Sequence, residues 1–276
     1  MADDPTWLDD NRRRWDERVA IHAASDFYDV AAFVAGGPSP HVFPWMLDEI
    51  GPLDGLDVLH LQCHFGMDTL ELARRGAATV TGLDFSGEAV ARAGALAAEV
   101  GLADRATFVE ADVHDAPEAL GGRTFDLVFT GIGAIGWLPS ARRWADVVAR
   151  CTRVGGRLHF TEVHPASRIL DDDGERIAYP YLEHVEPDTF DVPGTYTDVP
   201  DDVVTVHDRG HEWAHGLGEV VTALIDAGMR LDRLHERTRT FYRQLPILEE
   251  LAPGEWGVPP PGELPLLYSL LATRVR

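Results

Sequence analysis

The chain has 276 residues, 45% of them apolar, which is enough to bury one large α/β core. Its formal charge of −22 repels a polyphosphate backbone, and no basic stripe with interleaved aromatics offsets that repulsion, so nucleic acid is excluded from the expected partners. Apolar runs such as 31–35 and 264–271 fall short of the roughly 18 residues a membrane span requires, and no basic-then-apolar leader opens the chain, so a cytoplasmic protein without a membrane partner is expected, as a monomer or homodimer.

Residues 1–50 are polar at first and then carry Trp7, Trp15, Phe27, Tyr28, Phe33, Phe43 and Trp45, a pattern that predicts one or two helices forming an N-terminal lid. From Asp57 short apolar runs bounded by turn residues alternate with alanine-rich stretches, the mark of βαβ units. This predicts strands at 57–62, 78–83, 106–110, 124–130 and 156–163, and helices at 66–75, 86–100 and 140–152. Ser86 is the expected cap of the second helix, and Gly155-Gly156 the expected stop after the third. Residues 164–212 break the rhythm and read as an inserted cap. A helix at 214–227, a strand at 230–238 and a last strand within 264–275 complete one domain, 51–163 being its cofactor-binding half and 213–276 its C-terminal part. The expected fold is α/β, a Rossmann-like, mostly parallel seven-stranded sheet with helices on both faces. Only Cys63 and Cys151 are present, so no disulfide framework is expected. All 24 basic residues are arginine, while aspartates crowd Asp3-Asp4, Asp9-Asp10, Asp171-Asp172-Asp173 and Asp201-Asp202. Such a surface suits high salt; a GC-rich genome produces the same composition.

The run from Asp57 to Gly66, reading Asp-Val-Leu-His-Leu-Gln-Cys-His-Phe-Gly, passes from a buried strand through a tight turn into a helix, whose free N–H groups suit a polar ligand. Asp84 closes the second strand where a carboxylate can accept from both ribose hydroxyls, and Asp112 follows the third strand within reach of an adenine amino group. Three consecutive strand ends thus present polar groups on one edge, where open α/β sheets bind ligands. A nicotinamide enzyme would want Gly-x-Gly-x-x-Gly, of which only Gly66 survives.

Over about residues 55–163 the chain resembles the class I S-adenosylmethionine-dependent methyltransferases, and more closely a branch reading Leu-Gln-Cys-His-Phe-Gly where most members read Leu-Asp-Leu-Gly-Cys-Gly-Thr-Gly. The resemblance to that branch extends through Phe27-Tyr28-Asp29-Val30, the 133–138 run, Glu162-Val163-His164-Pro165 and the 213–219 run. It implies S-adenosylmethionine as cofactor, with Gln62, Cys63, His64 and Gly66 lining its methionine part, Asp84 and Phe85 the ribose, Asp112 and Val113 the adenine, and Gly131 the loop beneath. His60 stands where the family has an acidic residue, and Gln62 and His64 replace two of its glycines.

Methyl transfer is an in-line displacement that gains most from alignment and exclusion of water. The expected acceptor is a small organic molecule in a pocket built from His22, Tyr28, Trp137, Tyr196, Trp213 and His215, while Trp7, Trp15 and Trp45 are read as packing. Glu162 and His164, two titratable groups at a strand end beside the cofactor, are the expected catalytic residues. Two alternatives stand beside this reading. One is a binding protein that keeps the cofactor pocket without catalysis. The other is a zinc-dependent hydrolase using His211-Glu212-Trp213-Ala214-His215, which needs both histidines on one helix face; the flanking Gly210, Gly216 and Gly218 oppose that helix, and no metal ligands are expected.

Overall fold

The computed structural model describes residues 5–197 and 203–276; Asp3-Asp4 and Asp201-Asp202 lie outside them. The N-terminal segment forms three helices rather than one or two: α1 (Pro5–Ala24), α2 (Val30–Val34), capped by the Asp29 carboxylate, and α3 (Pro44–Ile50). There follow β1 (Asp57–Leu61), α4 (Met67–Arg74), β2 (Thr79–Asp84), α5 (Gly87–Glu99), β3 (Ala106–Glu110), the short α6 (Ala116–Ala119), β4 (Phe125–Thr130), α7 (Ala141–Cys151) and β5 (Thr152–Val163). The remainder comprises α8 (Pro165–Arg168), β6 (Asp188–Asp191), β7 (Arg209–Glu212), α9 (Leu217–Asp226), β8 (Met229–Arg237), the hairpin strands β9 (Glu249–Ala252) and β10 (Glu255–Gly257), and β11 (Leu267–Arg274). The central sheet runs β3-β2-β1-β4-β5-β11-β8. Its first five strands are mutually parallel, and β11 is antiparallel to both neighbours. Strand order reverses between β1 and β4, which places the ligand edge at Leu61, Asp84, Glu110 and Thr130.

Alternation along each strand divides the core into two layers. Leu59, Leu61, Val128, Phe160 and Tyr268 pack against α7 and α9, with Trp144 fully buried among them, while Val58, Val80, Leu127 and Phe129 pack beneath α1 to α5. The predicted strands and helices fall within a few residues of those observed, apart from β5. Gly155-Gly156 do not stop α7: the helix ends at Cys151, Thr152 Oγ1 donates to Val148 O at 2.7 Å, and both glycines lie inside β5. A Cβ on Gly156 would sit 2.9 Å from both Arg153 O and Phe125 O, so the glycine permits the irregular β4–β5 junction.

Two other expectations change. His211 and Glu212 belong to β7, paired antiparallel with β6, so they point to opposite faces and the helix face required for a zinc-protease site is absent. Gly210 makes the pairing possible, since a Cβ there would meet the Phe190 ring at 2.4 Å. Residues 239–263, for which no helix or strand is predicted, contain the β9–β10 hairpin; the signal available was Pro253-Gly254 between the two strands.

A buried carboxylate ties the N-terminal segment to the sheet. Glu49 of α3 accepts from His159 Nε2 at 3.0 Å, His235 Nδ1 at 2.7 Å and Ser269 Oγ at 3.0 Å, and from Arg237, so it joins β5, β8 and β11. Burial opposes its ionisation, but the hydrogen bonds from His159, His235 and Ser269 win and hold it down at about 2. A carboxylate depressed in the folded state stabilises the fold above its ordinary range and loses that contribution as pH falls through its folded value. Glu49→Gln is therefore expected to destabilise the protein by about 2 to 4 kcal/mol at pH 7, with a difference from wild type that shrinks between about pH 4.5 and pH 2; denaturant titrations across that range check both.

Candidate active site

Two cavities meet at the ligand edge. The smaller, about 120 Å³, is lined by Gln62 and His64 after β1, Asp84 and Phe85 after β2, Asp112 and Val113 after β3, the 132–134 backbone after β4, and by Trp15, Tyr28, Trp137 and Tyr196. The larger, about 850 Å³, lies between α1, the 133–137 loop, the end of β5, the 165–215 segment and the 238–266 insertion. They share Trp15, Gly133, Trp137 and Tyr196.

The β1–α4 turn is held by unusual backbone. Gln62, His64 and Gly66 have φ of 56, 50 and 81°, the left-handed region that glycine tolerates best. Gly66 has no substitute, since a Cβ there would lie 2.7 Å from Phe108 and 2.8 Å from Ala93. The other two are strained but anchored: Gln62 Nε2 donates to Ala134 O at 2.8 Å, and His64 N–H donates to Asp84 Oδ2 at 2.8 Å. Gln62 Oε1 is buried without a partner. Ser86 N–H donates to Asp84 Oδ1 at 3.0 Å, the Phe85 N–H also engages the carboxylate, and burial raises this carboxyl to about 6. Asp112 accepts from His114 N–H at 2.7 Å; burial opposes its ionisation, yet the His114 contacts leave it below its ordinary value. Cys63, Gly66 and Gly131 do not line the cavity but lie beneath it. Cys63 is packed under Gly82, and the open side of Gly131 faces His60 Nε2 and Asp68 Oδ2. His60, in the family's acidic position, bonds Thr69 Oγ1 at 2.8 Å, and burial lowers it to about 3.

The two expected catalytic residues do other things. Glu162 lines the larger cavity, but its carboxylate is fully used: Oε1 accepts from Gly133 and Val163 N–H, each at 2.7 Å, and Oε2 from Ala134 and Ile135 N–H at 2.8 and 3.0 Å. With every lone pair of the ionised group occupied, Glu162 is a positioning residue for the 133–135 loop. Burial nevertheless pushes its carboxyl above the ordinary value. His164 lines neither cavity; its Nδ1 accepts from Ala166 N–H at 3.1 Å as the cap of α8, and its Nε2 lies 2.9 Å from Glu236 Oε1.

Of the expected pocket residues, Trp137, Tyr196, Trp213 and His215 line the larger cavity and Tyr28 the smaller. His22 lines neither: it is buried behind Tyr28, bonded to His64 and to Thr195. Trp15, read as packing, instead lies between the cavities, its ring centroid 5.2 Å from that of Trp137 in an edge-to-face arrangement. Its neighbours Arg14 and Arg18 join α1 to the segments 190–197 and 203–208. Arg14 NH1 donates to Val192 O at 3.0 Å, and Arg18 donates to Gly194 O and His207 O, both at 2.9 Å, while pairing with Asp208 at 3.2 Å. Tyr242, Gln244 and Leu245 complete the larger cavity from the unanticipated insertion. His211 bonds Thr189 at 2.9 Å and Asp10 at 3.2 Å; His215 bonds Leu138 O at 2.8 Å and approaches Glu183 at 3.2 Å. Among the described residues no group of three or more His, Cys, Asp or Glu is placed to hold a metal ion, and no helix is long and apolar enough to cross a membrane.

Residues 58–156 match the family model described as a methyltransferase domain. That stretch thus resembles a methyltransferase domain. No curated protein sequence matches the chain. In fold the chain is similar to an S-adenosylmethionine-dependent methyltransferase from Mesorhizobium loti (20% identity, 87% of this chain and 100% of that one, TM-score 0.55). It is similar also to magnesium protoporphyrin IX methyltransferase from Synechocystis PCC 6803, solved with bound S-adenosylhomocysteine (17% identity, 98% of each chain, TM-score 0.55). The [4+2]-cyclase SpnF is alike in fold as well (18% identity, 95% of this chain and 94% of that one, TM-score 0.57), so the fold alone does not name the reaction. Glu162→Gln replaces one acceptor oxygen by a donor and strands two of the four N–H groups at about 1 to 3 kcal/mol each. Amides of residues 133–135 are then expected to exchange with solvent at least about tenfold faster than in wild type, measured by hydrogen-exchange mass spectrometry.

Proposed function

We propose that the protein transfers the methyl group of S-adenosylmethionine to a small organic acceptor held in the larger cavity. The observation that carries this reading is the seam at Trp15, Gly133, Trp137 and Tyr196, which joins a nucleoside-sized set of strand-end contacts to a separate, roomier chamber. The residues fit the cofactor: Asp84 lines the smaller cavity with acceptor capacity left for a ribose hydroxyl, Asp112 and Val113 stand where an adenine edge would lie, and the orphaned Gln62 Oε1 can accept from an ammonium group. When bound, S-adenosylmethionine supplies a methyl carbon activated by its sulfonium. The chain's own residues then orient the acceptor and exclude water. Trp15, Trp137, Tyr196 and Trp213 give an aromatic wall, and Glu162 holds the loop on which Gly133 and Trp137 stand. Neighbours of the same fold whose acceptors are printed include a geranyl diphosphate C-methyltransferase from Streptomyces coelicolor, consistent with a small-molecule acceptor.

The test is to incubate the protein with methyl-labelled S-adenosylmethionine and a cell extract split into low-mass and macromolecular fractions. Label is expected in a low-mass product, and Trp15→Ala is expected to lower the transfer rate at least about tenfold through lost alignment. Label in protein or nucleic acid instead would overturn the small-molecule reading. Asp84→Ala is expected to weaken S-adenosylhomocysteine binding by about 1.5 to 3 kcal/mol. Because the ionised carboxylate is the better acceptor and burial holds this group at about 6, affinity in wild type should fall as pH is lowered through about 6. Calorimetric titration checks both, and a pH-independent affinity would remove Asp84 from the ribose site.

A further inference from the structure

His64 stands where, by the resemblance above, most class I methyltransferases have a glycine, and it lines the smaller cavity. Its Nε2 lies 3.1 Å from His22 Nδ1, and His22 Nε2 lies 2.7 Å from Thr195 Oγ1. Thr195 in turn lines the acceptor cavity. His64 Nδ1 has no protein partner among the described residues and is not shut away from the cavity its ring lines. The two imidazoles are clamped between aromatic rings: Tyr28 stacks on His22 at 5.5 Å and on His64 at 5.6 Å, and Trp15 presents an edge to each at 5.8 and 5.5 Å. Three groups in hydrogen-bond sequence therefore run from the cofactor cavity, behind the Tyr28 ring, to the acceptor cavity.

We propose that His64, His22 and Thr195 form a proton relay that takes up the proton a methyl acceptor loses, an inference that rests on the methyl-transfer reading above. In the ready state His22 Nε2–H donates to Thr195 Oγ1, and His64 Nε2–H donates to His22 Nδ1, which leaves an open lone pair on His64 Nδ1. As the acceptor, reaching from the larger cavity through the Trp15–Trp137–Tyr196 seam into the cavity that His64 lines, bonds to the methyl carbon, the carbon–sulfur pair stays on sulfur and the acceptor's proton passes to His64 Nδ1. His64 hands its Nε2 proton to His22 Nδ1, His22 hands its Nε2 proton to Thr195 Oγ1, and the threonine's own hydrogen leaves to water in the acceptor cavity. The groups facing this chain favour neutral rings: burial, with Arg18 nearby, lowers His22 to about 3, and burial, with His22 and His41 nearby, takes His64 well below its ordinary value. The other titratable neighbours are Tyr28 and Tyr196, both raised by burial, and Asp84, whose carboxylate engages the His64 backbone N–H. Neutral rings suit a base placed beside a sulfonium, since an imidazolium there would repel it.

The test uses the full chain. In long-range nitrogen–proton spectra of protein carrying labelled histidine, with and without S-adenosylhomocysteine, both rings are expected to be neutral at pH 7 to 8, with the His64 proton on Nε2. His64→Asn is expected to lower the rate of label transfer to the low-mass fraction by about 100-fold or more at saturating S-adenosylmethionine, as befits lost general-base catalysis. Added imidazole is expected to restore part of the rate to His64→Gly. A His64 proton on Nδ1 in the complex, a His64→Asn rate within about threefold of wild type, or a rate loss that saturating S-adenosylmethionine abolishes would each overturn the relay. If wild type labels an acceptor while His64→Asn keeps pace, the relay alone fails. If wild type binds S-adenosylhomocysteine and labels no small molecule, the methyl-transfer reading fails and takes the relay with it.

Discussion

The four backbone N–H groups gathered by the Glu162 carboxylate are the constraint on which the rest of the site depends. The loop after β4 would otherwise bury amides with no partner, since it crosses the sheet edge without pairing to a strand. Once the carboxylate collects them, Gly133 can form the floor shared by the two cavities, Ala134 O can receive the Gln62 amide, and Trp137 can turn its ring toward Trp15. The β1 and β4 ends are thereby coupled through one buried charge on β5. A residue in that position is too saturated to act as a base, and its value to the site lies in preorganisation.

The cofactor loop illustrates how a departure from a glycine-rich pattern can be sustained. Left-handed backbone at Gln62 and His64 costs conformational energy, and each residue is anchored by a hydrogen bond on a neighbouring strand end, to Ala134 O and Asp84. Gly66 cannot be altered in the same way because Phe108 and Ala93 occupy the space a side chain would need. The loop therefore retains glycine where packing forbids anything else and gains side chains where the cavity is open, which is how His64 comes to meet His22.

The N-terminal segment is held to the domain by buried polar staples as well as by apolar packing of Val19, Phe33 and Ile50, and similar staples hold the segment after β6. Glu49 joins α3 to three strands, while Arg14 and Arg18 bond carbonyl groups of the segment after β6. Arginine suits this task because its planar fork donates to several carbonyls at once and stays charged; even Arg14, depressed by burial, titrates only at about 10. The absence of lysine from the chain is consistent with that use, although the same residue choice extends over the exposed surface.

Local periodicity was enough to read the sheet, its seven strands, the βα alternation and the strand-end positions of Asp84 and Asp112, because each depends on residues within one element and its turn. The Glu162 and His164 assignments failed for the opposite reason: a strand-end carboxylate reads identically whether its oxygens face a ligand or a loop 28 residues earlier in the chain. Trp15 resembled packing until α1 was laid across the seam, and His22 resembled a pocket residue until Tyr28 covered it. The His-Glu-x-x-His spacing carries its zinc meaning only on a helix, and pairing with β6 makes the first half of it a strand. Sequence by itself thus determined the architecture and the strand ends at which polar groups gather, which follow from short-range pattern. Which polar groups remain free to do chemistry was decided only by the tertiary structure, because whether a lone pair is free depends on partners brought from distant parts of the chain.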